Sequence, residues 1–288
     1  MDEPLITPQV LVDIPAKNSE CPVWNPIDRM LYWSDIPNGF LYRCNPINGQ
    51  HELICEAGEQ IGGLVVCEDG GIVLLLEEGR IKKWRNGATE VILGGISGET
   101  GHRFNDAIAD PAGRIISGMM GDGKEDLRLY VIEPQGSVRA LLHTVRQSNG
   151  MAFGERGRNF FHTDTVRGTI TRFSYDAARG ELGPVQQVIA LDPASHHPDG
   201  LAIDDRGHLW SAQWGHGCLI CLIDGKEAQR ILLPTSKVSS VAFGGEDMGD
   251  MFITTAGGDA RSADDPFAGS VFRCRTDQGG VAPHLAKF

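Results

Sequence analysis

The sequence predicts an all-β fold, a six-bladed β-propeller with about four antiparallel strands per blade. Three observations predict it. Short β-rich runs alternate with Gly, Pro, Asn and Asp turns along the whole chain. No amphipathic stretch three helical turns long interrupts them. A characteristic inner segment returns six times, at intervals of roughly 40 to 50 residues, the range of propeller blades. A β-helix would show a shorter period, and a sandwich would not repeat six times. One domain spanning 1–288 is expected, because repeats of this kind cannot bury their faces alone.

Taken in order, Gln9-Val10-Leu11-Val12-Asp13 reads as a lone early strand that pairs into the last blade and closes the ring. The six inner segments then begin at residues 19–24, 61–66, 103–108, 148–153, 198–203 and 238–243. Each leads through a turn into an apolar burst, at 30–33, 72–76, 115–116, 159–162, 209–212 and 251–254. The turns read Glu68-Asp69-Gly70-Gly71, Asp110-Pro111-Ala112-Gly113 and Asp204-Asp205-Arg206-Gly207. Asp and Gly supply the local side-chain hydrogen bond and the positive φ of a tight hairpin, so these acids are read as turn formers without chemistry. Further strands follow at 40–43, 169–173 and 270–273.

The bulk numbers exclude several classes. With 26 Lys and Arg against 38 Asp and Glu, the net charge is -12 and no basic cluster is present, which disfavours nucleic acid and anionic membranes. The first eight residues are acidic and lack the basic start and apolar core of a secretory signal. No apolar run approaches the ~20 residues that span a bilayer. Seven cysteines, odd in number and scattered, are expected as reduced thiols in a cytoplasmic protein. Cys218 and Cys221 have CxxC spacing, but three apart on a strand they point to opposite faces, which favours buried structural roles.

In a propeller the first strand of each blade lines the central channel. Equivalent positions there carry Glu20, Gly62, Asn105, Asn149, Asp199 and Ser239. Unpaired carboxylates flanked by apolar residues are costly, and a cation relieves them most simply. Glu20, Asn149 and Asp199 offer oxygen donors, which suit one divalent metal ion such as Ca²⁺, Mg²⁺ or Mn²⁺, while Zn²⁺ or Fe²⁺ fits by affinity. A hub of mutually hydrogen-bonded polar side chains is the plainer alternative. His196 and His197 are adjacent in the loop before Asp199, so a place at the mouth or surface is expected rather than direct ligation. His102 and His162 are ambiguous. No Gly-x-Ser-x-Gly elbow or phosphate loop supports a serine nucleophile or a nucleotide.

These residues resemble the gluconolactonase, regucalcin and luciferin-regenerating-enzyme family over nearly the whole chain. The resemblance rests on Ser-Glu-Cys-Pro-Val-Trp at 19–24, where the family usually has Gly-Glu-[Gly/Ser]-Pro-Val-Trp, and on Arg-Phe-Asn-Asp at 103–106. It continues through 110–114, 148–150, 161–165, 198–200 and 241–245. It implies a six-bladed propeller, metal ligands at Glu20, Asn149 and Asp199, and substrate contacts from Arg103 and Asn105. Some members carry a further substrate-binding acid near 118–123, where Asp122 stands here.

The function expected from the resemblance is metal-dependent hydrolysis of a sugar lactone, such as glucono-, xylono-, arabino- or galactonolactone, to the aldonic acid. Asp199 would serve as base as well as ligand. A calcium-binding regulatory protein is one alternative, and a propeller hydrolase of other esters or organophosphates is another. An aromatic pocket built on Trp24, Trp210 and Trp214 would favour the latter. A monomer is expected, since a propeller closes on itself.

Overall fold

Each inner segment is apolar enough to form a strand buried on both faces, and each hairpin turn carries the Asp or Gly that its backbone needs. In the computed structural model, which describes residues 7–288, these elements form six four-stranded antiparallel sheets. The acidic stretch 1–6 lies outside the described residues. The inner strands are Ser19–Asn25, Gly63–Val66, Arg103–Ala109, Ser148–Gly154, Pro198–Ile203 and Val238–Gly244. Each touches the next around a ring, and the sixth touches the first. Gln9–Val12 forms the outermost strand of the last blade by pairing with Val271–Arg275, so the ring closes as the sequence predicts. No α-helix occurs among the described residues, and no helix there is long and apolar enough to cross a membrane.

The apolar side chains sort into six clusters, and each cluster lies between two neighbouring blades. The period-two alternation of a strand sends successive residues to opposite interfaces. Cys218 accordingly packs between blades four and five and Cys221 between blades five and six, which removes the redox or zinc reading of their spacing. All seven cysteines are free thiols. The turn acids also behave as expected. Asp110 Oδ1 accepts the backbone N–H of Ala112 and of Arg114, and Asp204 Oδ1 accepts those of Arg206 and His208.

Two features outside the repeat position the site. Residues 281–288 run across the far mouth of the channel: the Val281 N–H donates to the Ile203 carbonyl, that of Ala286 to Val66 and that of Lys287 to Gly113. His284 packs edge-on against Phe153 with ring centres 5.8 Å apart. The inner strands also lose regular pairing at matching points, between Glu20 and Val23, Asn105 and Ala107, Ser148 and Met151, Pro198 and Leu201, and Val238 and Ser240. A bulge bends its strand and re-aims the side chains within it. Here the five bulges sit at the hub.

Candidate active site

The near mouth of the channel holds a cavity of about 260 Å³ lined by Glu20, Arg103, Asn105, Asn149 and Asp199. All five residues singled out from the sequence therefore meet in one place. The other hub positions do not reach it. Gly62 carries no side chain, and the Ser239 hydroxyl turns away, donating to the Ser19 carbonyl at 2.7 Å and lying 2.9 Å from Thr254 Oγ1.

The loops before the inner strands are pinned by side chains of the second strands. Asp35 accepts the N–H groups of Lys17 and Asn18, Asp164 those of Arg146 and Gln147, and Gln213 Oε1 that of His197. Asn18, Gln147 and His197 are thereby held at the cavity wall, beside Met120, Thr165 and Trp214. His197 takes the mouth position expected of it. His196 takes the surface place, where its Nε2 meets Glu227 at 2.9 Å. Of the tryptophans considered, only Trp214 lines the cavity, while Trp24 and Trp210 are core residues at 5% and 2% exposure. Asp122, whose role the resemblance left open, does not line the cavity. It pairs with Lys124 at 2.9 Å and half-exposes its side chain, whereas Met120 is part of the wall. Asp122→Ala is thus expected to leave turnover within about twofold of wild type, as surface changes away from a site usually do.

Glu20, Asn149 and Asp199 are all at least nine-tenths buried. Burial is the main cause that pushes the Glu20 carboxyl well above its ordinary range, reinforced by Asp199 and Asp106. Asp199 is raised in the same way, by burial first and then by Asp106. Asp106 itself is pushed up to about 6 by burial. The sequence reading passed over Asp106, and the physical reason is local. It follows Asn105 directly, and on a regular strand it would face away from its neighbour. Its φ of 53° inside the bulge turns it inward instead. The same holds for Cys21, with φ 51°.

The Arg103 guanidinium is fixed by its neighbours. Nη1 donates to the Phe104 carbonyl at 2.9 Å and to Asn105 Oδ1 at 2.5 Å, and Nη2 lies 2.9 Å from the Met120 sulfur. Gly62 is required here, because a Cβ would stand 1.8 Å from the Phe104 carbonyl oxygen and 2.9 Å from Arg103 Nη1. Asn105 Nδ2 donates to the Ser148 carbonyl at 2.6 Å, and the Ser148 hydroxyl meets His162 Nε2 at 3.0 Å. Burial holds the His162 pKa down at about 4, so the imidazole is a neutral prop behind Asn105.

The donor set fits a divalent cation. Asn149 Nδ2 donates to Thr165 Oγ1 at 3.0 Å, and Asn149 also hydrogen-bonds Asp199. Its Oδ1 is buried with no partner, an acceptor aimed at nothing in the protein. Such an oxygen beside two buried carboxylates is costly unless a cation meets it. Glu20→Gln tests this directly. Removing one of the repelling charges is expected to raise the Tm of ion-stripped protein by ~3 °C, about 1 kcal/mol for a chain this size. Added divalent ion should then stabilise the variant far less than wild type, as read by calorimetry with and without chelator.

Known proteins resemble this chain in sequence and in fold. The family model for the SMP-30/gluconolactonase/LRE-like region matches residues 18–257, a span that holds Glu20, Arg103, Asn105, Asn149 and Asp199. Pentonolactonase XacC of Haloferax volcanii is 36% identical over 250 residues, covering 86% of this chain and 85% of that protein. The 6-deoxy-6-sulfogluconolactonase of Pseudomonas putida is 32% identical, covering 97% and 98%. The solved structure of regucalcin, a calcium-binding protein from Agrobacterium tumefaciens, superimposes with a TM-score of 0.90 at 22% identity, over 98% of each chain, a likeness of fold. The chain belongs to the SMP-30/gluconolactonase/LRE-like family.

Proposed function

We propose that this protein hydrolyses the ester bond of a sugar lactone with the help of one divalent metal ion. The observation that carries this reading is the meeting of Glu20, Asn149 and Asp199 with Arg103 and Asn105 in one polar cavity of about 260 Å³. Relatives named as a pentonolactonase and a sulfogluconolactonase support it.

Glu20, Asn149 Oδ1 and Asp199 would hold the ion. When bound, it supplies Lewis-acid polarisation of the lactone carbonyl and acidifies water. The remaining work falls to side chains. Asp199 accepts the proton of the attacking water and returns it to the leaving ring oxygen as the ester bond breaks. Arg103 has five N–H donors in a fixed fork, and those left free by Phe104 and Asn105 meet substrate oxygens and the carboxylate as it forms. Asn105 Oδ1 keeps a lone pair for a ring hydroxyl. Met120 and Trp214 offer apolar faces to the C–H side of the ring. With polar groups dominating the wall, a polyhydroxylated substrate fits better than an aromatic ester.

Proton release on ion-stripped protein, with several neutral aldonolactones and one anionic one, with and without divalent ions, tests the reading. Ion-dependent release above the spontaneous rate is expected, and the order of the lactones gives the preferred substrate. No acceleration with any ion overturns it.

A further inference from the structure

One step along each inner strand from the hub positions stand Cys21, Gly63, Asp106, Gly150, Gly200 and Ser240. Only Cys21 and Asp106 among them bear strong metal donors, and both are held at positive φ, 51° and 53°. Non-glycine residues are uncommon in that region. The two flank blade two, whose Gly62 and Gly63 contribute no side chains. They close over that gap: the Cys21 thiol donates to the Gly62 carbonyl at 3.2 Å and reaches Asp106 Oδ1 at 3.5 Å. Donor atoms of Glu20, Cys21 and Asp106 all lie within 4.8 Å of one another. Asp106 is 8% exposed, and its Oδ2 is buried without any partner.

We infer that Glu20, Cys21 and Asp106 form a mixed sulfur–oxygen cation site, beside the oxygen set and sharing Glu20 with it. It takes a thiophilic divalent ion, Zn²⁺ or Cd²⁺, in preference to Ca²⁺ or Mg²⁺.

The separations suit such an ion. Zn–S bonds of ~2.3 Å and Zn–O bonds of ~2.0–2.2 Å in tetrahedral geometry place ligand atoms ~3.3–3.8 Å apart, within small side-chain rotations of those present. The orphaned Asp106 Oδ2 gains its missing partner. As the sulfur–metal bond forms, the S–H bond breaks and its proton passes to solvent, leaving a thiolate between two carboxylates and a dication. A thiolate selects softer ions, whereas Ca²⁺ and Mg²⁺ choose all-oxygen sets. The sulfur also stands where the resembled family usually has Gly or Ser. The proposal needs only these three side chains and does not depend on the lactone chemistry.

The test titrates ion-stripped full-length Cys55→Ser protein with Cd²⁺, removing the one cysteine that is only partly buried. The expected result is an ultraviolet sulfur-to-cadmium charge-transfer band that saturates at one ion per chain. Cys21→Ser in that background is expected to lose the band, while Ca²⁺ still raises its Tm. Asp106→Asn is expected to keep the band and weaken Cd²⁺ binding about tenfold. Asp199→Ala is expected to keep it even where lactone hydrolysis fails, which separates this proposal from the lactonase reading. Absence of the band, or its survival in Cys21→Ser, overturns the site.

Discussion

Asp199→Ala is expected to lower kcat/KM for lactone opening by about 10³-fold, some 4 kcal/mol of transition-state stabilisation. The size follows from the double position of this side chain. Its carboxylate faces the cavity at 6% exposure, receives a hydrogen bond from Asn149, and stands close enough to Glu20 and Asp106 for their charges to act on one another. Alanine removes a proton acceptor and an ion donor together. Asp199→Asn separates the two roles, because the carboxamide keeps an oxygen donor but is no base. It is expected to retain an ion-dependent rise in Tm and to lose kcat. Activity of the alanine variant within about tenfold of wild type would move the base role away from Asp199.

Gly150→Ala is expected to destabilise the protein by about 3 kcal/mol or more, at the upper end for overpacking. A Cβ at this position would lie 2.2 Å from the Leu201 amide nitrogen and 2.5 Å from the Gly200 carbonyl carbon. Both are backbone atoms of the neighbouring inner strand, so no side chain can swing aside. Gly154, at the end of the same strand, is the control. Its added methyl would meet Ile203 Cδ1 at 3.0 Å and Phe161 Cε2 at 3.2 Å, side-chain tips that can yield. A thermal midpoint that falls ~6–12 °C in Gly150→Ala, and clearly less in Gly154→Ala, is the expected outcome. Equal losses would show that close approach of the inner strands is not what constrains Gly150. Because Asn149 precedes Gly150, the same variant should also weaken ion binding.

The propeller was legible because its cause is written six times. Each blade repeats an apolar inner segment, a turn that caps itself through Asp110 or Asp204, and a second strand, and repetition makes each weak local signal reinforce the others. Even the early strand at Gln9–Val12 was legible, because a short apolar run stands there ahead of the first full repeat. Glu20, Asn105, Asn149 and Asp199 were legible for a related reason, since they occupy equivalent places in the repeat but break its apolar composition. Arg103 was legible only through the family resemblance.

Other parts of the site were hidden. Asn18, Gln147 and His197 reach the wall because Asp35, Asp164 and Gln213 pin their loops, and no spacing in the chain announces those bonds. Met120 rather than Asp122 faces the cavity, a choice set by where the strand Ile115–Met120 ends and the exposed turn begins. The strap at 281–288 was not read from the sequence, since its partners lie on blades two, three and five.

The sequence by itself determined the architecture, the order of the blades and the oxygen donors at the hub, because hydrophobic periodicity and repeat spacing are properties of a linear chain. Only the tertiary structure decided that Cys21 and Asp106 face inward and that Ser239 does not. It also decided that Asn149 Oδ1 and Asp106 Oδ2 are left without partners. Those outcomes depend on bulges that rotate single residues against the strand alternation. Bulges also occur between outer strands, and only the closed ring brings the five inner ones round a common axis, where a residue turned by one of them meets side chains of other blades.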